Sequence, residues 1–127
     1  MAFNLLIVDD SSTIRGIIKK TLRQTDLPLG EVLEAGTGRE GLAQMRAHWV
    51  DLVLADLNMP DMNGQQMIEA MGQDPLLAKL PVVVVSSEGN ATVLEALAAR
   101  GVRDVVRKPF EPVLLRLIIQ KALGVEA

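Results

Sequence analysis

Cysteine and tyrosine are absent from this 127-residue chain, histidine and tryptophan occur once each, and phenylalanine twice. Without cysteine there is neither a disulfide framework nor a thiolate metal site, and with His48 as the only imidazole a zinc site is disfavoured too. The lysines and arginines are scattered and no tyrosine is available for stacking, so nothing favours nucleic acid. No apolar run approaches the roughly 20 residues of a membrane helix, and no basic region precedes the apolar stretch after Met1. Both features argue against insertion and secretion and fit the cytosol. What remains is ordinary for a globular protein: 49% apolar residues, 23% charged residues and a formal charge of -3. The length predicts one domain over residues 1–127.

Two hydrophobic periods alternate along the chain. Leu5–Val8 is a short continuous apolar run, the pattern of a strand covered on both faces. Ser11, Ser12 and Thr13 offer N-caps for a helix whose Ile14, Ile17, Ile18 and Leu22 share one face. Glu31–Glu34 is a weaker, charge-flanked strand, followed by a helix over Arg39–Ala47. Val50–Ala55 predicts the third strand, a loop of turn formers runs from Asp56 to Gly64, and Gln65–Met71 is a short helix. Pro81 opens the strand Val82–Val85; Asn90 caps a helix over Ala91–Arg100, with Gly101 at the C′ position. Asp104–Val106 is the fifth strand, and Pro112 opens a helix over Val113–Leu123. Trp49 and Phe110 read as packing residues, and His48 as an exposed helix-end residue.

Five strand–helix units in regular alternation predict an α/β fold, a five-stranded parallel sheet with helices on both faces and right-handed crossovers. The pattern itself does not give the strand order; the flavodoxin-like order 2-1-3-4-5 is the one expected. Four strands end in polar groups: Asp9 and Asp10, Asp56, Ser86, and Lys108. Ligands of such sheets bind outside the carboxyl ends of the strands, so these groups converge where chemistry is done. Crowded carboxylates repel unless a cation is present, and hard oxygen donors suit Mg²⁺. A carboxylate is also a nucleophile towards phosphorus, with Asp56, alone at its strand tip, the natural candidate and Lys108 placed to neutralise developing charge. Taken singly, each group has a plainer reading: Asp9-Asp10 as a turn with a capping role, Lys108 as surface charge, Ser86 as the start of a turn, with Ser87 its rival for phosphate.

Together, Val8-Asp9-Asp10, Asp56-Leu57-Asn58-Met59-Pro60 with Gly64, Ser86 after an apolar strand, and Lys108-Pro109-Phe110 resemble the receiver domains of two-component response regulators. The single-domain chemotaxis type is the nearest match, and the likeness runs from Leu5 to Leu123. The resemblance implies transfer of phosphate from a histidine kinase, or from a phosphotransfer protein, to Asp56. It also implies Mg²⁺ held by Asp10, Asp56 and the Asn58 backbone carbonyl, with Asp9 acting partly through water. Ser86 and Lys108 would bind the phosphoryl oxygens, and the Lys108-Pro109 bond would be cis. Such a domain is not a classical enzyme; it catalyses its own phosphorylation and dephosphorylation and shifts the binding of a downstream partner.

The resemblance breaks at Val105, where this family commonly carries an aromatic ring that swings inward when the Ser86 hydroxyl moves. A β-branched valine has no ring to move, so coupling to the output face is expected to run differently. Asn58 and Glu88 stand at positions that modulate water access in the family, and their types imply a short-lived phosphate. Apolar residues wrap nearly the whole last helix. With Leu115, Ile119 and Ala122 facing the sheet, Leu114, Leu117 and Ile118 would form an exposed patch beside Val105, a contact for an effector or a second copy. The alternatives are a phosphate shuttle or sink, a metabolite phosphatase, and a pseudo-receiver working through its apolar last helix.

Overall fold

The structure, a computed structural model, describes residues 2–87 and 90–124. Five strands and five helices alternate: β1 Phe3–Val8, α1 Ser12–Arg23, β2 Leu29–Ala35, α2 Gly38–Ala47, β3 Leu52–Ala55, α3 Gly64–Gly72, β4 Val82–Ser86, α4 Ala91–Ala99, β5 Val102–Arg107 and α5 Pro112–Leu123. All strand pairs are parallel and the order is β2-β1-β3-β4-β5, as expected.

Side-chain alternation divides the core into two layers. Leu6, Val8, Val53, Ala55, Val82 and Val84 point towards α2, α3 and α4, where they meet Leu42, Met45, Met67, Ile68, Met71 and Leu97. Leu5, Ile7, Leu52, Leu54, Val83 and Val85 point the other way, onto Ile18 and Leu22 of α1 and Leu115 and Ile119 of α5. This double coverage explains why β1, β3 and β4 read as continuous apolar runs rather than alternating ones.

The helix caps follow the sequence. Ser11 accepts from the Ile14 N–H, Thr37 from Glu40 and Asn90 from Val93, while Asn63 and Gln66 form a reciprocal capping box. Gly101 adopts φ 93° just beyond α4, in the left-handed region that suits a C′ glycine.

Several boundaries differ from expectation, β1 among them, which begins two residues early at Phe3, paired with Leu29 of β2. Strand β3 begins at Leu52, two residues late, because the Asp51 carboxylate is taken up by the Asn4 N–H at 2.8 Å and the Trp49 indole N–H at 3.0 Å. Trp49 is therefore turned outwards, 77% exposed, and is not a packing residue. The edge strands β2 and β5 extend beyond the segments read from sequence, β2 by Leu29, Gly30 and Ala35 and β5 by Val102, Arg103 and Arg107, since their pairing with β1 and β4 continues through residues that form no apolar run.

Candidate functional site

Register places the site. Val8 pairs with Ala35 on one side and Ala55 on the other, so Asp9 and Asp56 are the first residues past the ends of the two neighbouring central strands. The ladder continues one bond further through each: Asp9 N–H donates to Ala35 at 3.0 Å and Asp56 N–H to Val8 at 2.9 Å. Lys108 follows β5, its N–H donating to the Ser86 carbonyl at 3.0 Å. Four strands thus deliver their polar termini to one edge.

Asp9 and Asp56 are buried, whereas Asp10 is exposed. One carboxylate oxygen from each of Asp9, Asp10 and Asp56 lies within 4.8 Å of the other two. The Lys108 ammonium stands 2.8 Å from Asp9 Oδ2 and 3.2 Å from Asp56 Oδ2. Burial, the largest single influence on Lys108, lowers its pKa. The Asp9 hydrogen bond and the charges of Asp56 and Asp9 outweigh it, and the net direction is upward, so the amine holds its proton. One ammonium among three carboxylates leaves the cluster negative. Asp10 makes no ion pair among the described residues, and every candidate ligand atom is a hard oxygen, a donor set that fits Mg²⁺ and not a softer metal.

The remaining contacts hold these groups in place. Asp9 Oδ1 accepts from the Ser11 N–H at 2.9 Å and Asp56 Oδ1 from the Asn58 N–H at 3.3 Å. Asn58 itself is exposed, on a loop anchored by the buried Leu57 and Met59. Gly64 closes that loop by close approach: a Cβ there would meet the Asp56 carbonyl oxygen at 2.2 Å, and its N–H donates to Leu57 at 3.1 Å. Ser86 is fully buried and is the last residue of β4 rather than the first beyond it. The Lys108-Pro109 bond is cis.

Other residues singled out by sequence lie elsewhere. Val105 is half-buried and, like Val93 and Leu94, packs against the core layer under α2, α3 and α4. On α5, Leu115 and Ile119 are buried against the sheet, while Leu114 and Leu117 are 48% and 43% exposed. Ile118 does not join them; it is half-buried in the α1–α5 layer, and Val113, 59% exposed, takes its place. The α5 patch thus keeps three residues but is separate from Val105, because α5 and Val105 pack on opposite faces of the sheet. Glu88 lies outside the described residues. Arg15 was not singled out by sequence, yet its guanidinium donates to the Asp9 carbonyl. The signal available was a cation one turn into the helix that follows the acidic pair.

A carboxyl-edge cluster of this kind suits Mg²⁺-dependent phosphoryl chemistry, and comparison with known proteins gives the family. Residues 5–120 match the response regulator receiver domain, and the chain belongs to that family. It is 38% identical to the chemotaxis protein CheY1 of Helicobacter pylori, over 94% of this chain and 96% of that protein. It is 39% identical to the chemotaxis protein CheY homolog of Campylobacter jejuni, over 94% and 92%. Among solved structures, the chemotaxis protein CheY4 of Vibrio cholerae superposes with a TM-score of 0.86 at 29% identity, covering 97% of this chain and all of that one. No helix among the described residues is long and apolar enough to cross a membrane.

Proposed function

We propose that this receiver domain accepts a phosphoryl group on Asp56 from the phosphohistidine of a histidine kinase, in a reaction that depends on Mg²⁺. The observation that carries this reading is the convergence of Asp9, Asp10 and Asp56 with Lys108 at the carboxyl edge of the sheet. The Asp56 carboxylate attacks phosphorus as the N–P bond of the donor breaks. The imidazole nitrogen keeps the electron pair and takes a proton from solvent. Lys108, already beside Asp56, supplies an ammonium to the equatorial oxygens, and Ser86 a hydroxyl. Asp9 and Asp10, with Asp56 and the Asn58 carbonyl, are the groups to hold Mg²⁺, which when bound offsets the negative charge that phosphoryl transfer gathers there. Attack by water on the same phosphorus returns the Asp56 carboxylate and releases phosphate.

Phosphorylation then shifts binding to a downstream partner, which requires a contact that differs between the two states. With Val105 in place of a ring, Ser86 and the backbone after β4 carry that difference. The exposed Val113, Leu114 and Leu117 on α5 support a partner face there. The chemotaxis relatives support chemotactic signalling as the process served.

Intact mass after incubation with Mg²⁺ and a small acyl phosphate tests the reading. A single labile phosphoryl adduct is expected on the wild type and none on Asp56→Asn or without Mg²⁺. An adduct that survives Asp56→Asn would sink the assignment, and persistence of the adduct for hours would refute the short lifetime inferred from Asn58 and Glu88.

A further inference from the structure

Asp9 is held at every polar atom. Its N–H bonds to Ala35, Oδ1 to the Ser11 N–H and Oδ2 to Lys108, while its carbonyl accepts from the Arg15 guanidinium. That carbonyl belongs to the peptide joining Asp9 to Asp10. Whatever orients it also sets the direction of the exposed Asp10 carboxylate relative to the buried Asp9 and Asp56. Arg15 is itself fixed from behind: its Nε donates to Glu34 Oε1 at 3.0 Å, and Glu34 Oε2 accepts from Lys19 at 3.1 Å. The Glu34 carboxyl is held below its usual range, chiefly by the Lys19 hydrogen bond and then, against some burial, by Arg15, so it remains an anion. Gly36 lies alongside: a Cβ there would be in ordinary contact, 3.7 Å, with an Arg15 terminal nitrogen. A rigid fork with two differently directed N–H groups is what such a bridge requires.

On the reading of the acidic edge as a Mg²⁺-dependent phosphoacceptor, we propose that Arg15, braced by Glu34 and Lys19, is a positioning residue: it sets the Asp9-Asp10 peptide so that both carboxylates face one cation. It touches neither phosphoryl group nor metal and acts through Asp9 alone.

Charge and geometry predict opposite signs here, which makes the role testable. Arg15→Gln removes a positive charge beside the cluster, and by Coulomb attraction alone would tighten Mg²⁺. Loss of positioning weakens it. Arg15→Lys keeps the charge but cannot reproduce the two-pronged bridge. Mg²⁺ affinity of the intact chain, measured by calorimetric titration alongside urea unfolding, is expected to fall about 10-fold in both variants, the lower end for groups that orient metal ligands. Acyl-phosphate labelling of Asp56 should fall equally at limiting Mg²⁺ and recover at saturation. Unchanged affinity in Arg15→Lys overturns the proposal, as does tighter binding in Arg15→Gln. A lowered urea midpoint with unchanged Mg²⁺ affinity reduces Arg15 to a structural contact. Should both variants fail to fold, Glu34→Gln loosens the brace while leaving Arg15 on Asp9; a few-fold weaker Mg²⁺ binding supports the role and unchanged binding overturns it. A wild type that binds no Mg²⁺ defeats the phosphoacceptor reading and this inference together, whereas wild-type binding that Arg15→Lys leaves intact defeats the inference alone.

Discussion

The Lys108 cluster and the Arg39–Asp61 pair are built from the same kinds of group at nearly the same distance, 2.8 and 3.2 Å in one and 2.9 Å in the other. Their surroundings differ. The Lys108, Asp9 and Asp56 side chains are 19%, 2% and 8% exposed, against 70% and 51% for Arg39 and Asp61. An exposed pair exchanges one well-solvated state for another, whereas a buried charge that loses its partner keeps its desolvation penalty. Distance alone therefore says little about what an ion pair contributes. The Arg15–Glu34–Lys19 group stands between them, with Glu34 35% exposed.

Breaking the buried cluster should have the largest effect. Lys108→Met leaves Asp9 and Asp56 facing each other without a cation and is expected to cost about 3 kcal/mol in urea unfolding without divalent ions. Added Mg²⁺ should restore more stability to this variant than it adds to the wild type. A midpoint equal to the wild type's would show that solvent reaches the cluster and that the two regions do not differ.

The intermediate group sharpens the comparison through pH. The Glu34 carboxyl is lowered from its ordinary 4.5, chiefly by Lys19, so its contribution is present above that value and is lost as the pH falls through the lower, folded one. Glu34→Gln should be less stable than the wild type at neutral pH by about 0.5 kcal/mol, solvent screening allowed for. The gap should close as the pH drops well below 4.5. A gap independent of pH would mean that Glu34 acts by packing rather than by charge. The smallest effect belongs to Arg39→Ala, for which no resolvable shift of the urea midpoint is expected in low or high salt. A clear loss would make the exposed pair a clamp on the loop from Asp56 to Gly64.

The buried strands were legible because burial on both faces leaves an unbroken apolar signature, and each ends where a polar group begins. Asp9, Asp10, Asp56 and Lys108 could be read from that punctuation once the strand order was assumed. The edge strands were read too short: Leu29, Gly30 and Ala35 of β2 and Val102, Arg103 and Arg107 of β5 belong to no continuous apolar run, and it is the ladder to the neighbouring strand that decides their conformation. Trp49 was misread because hydrophobic character does not reveal that the indole N–H is already committed to Asp51. Ile118 was misplaced on a helix whose apolar residues run nearly all the way round, so periodicity could not say which would face α1. Arg15 escaped notice because its partner is 19 residues away on another element, and no local pattern joins them.

The outward turn of Trp49 has an optical consequence. It is the chain's only tryptophan, there is no tyrosine, and it precedes β3, while Asp56 follows that strand. Strand β3 alone, four residues and about 13 Å of extended chain, lies between them, so the indole sits at the opposite end of the sheet from the carboxylate edge. Already bathed in water, its emission has little room to redden and no nearby change of charge to sense. Intrinsic fluorescence will therefore be nearly silent both to cation binding and to unfolding, and a reporter of either has to be introduced on the other side of the sheet.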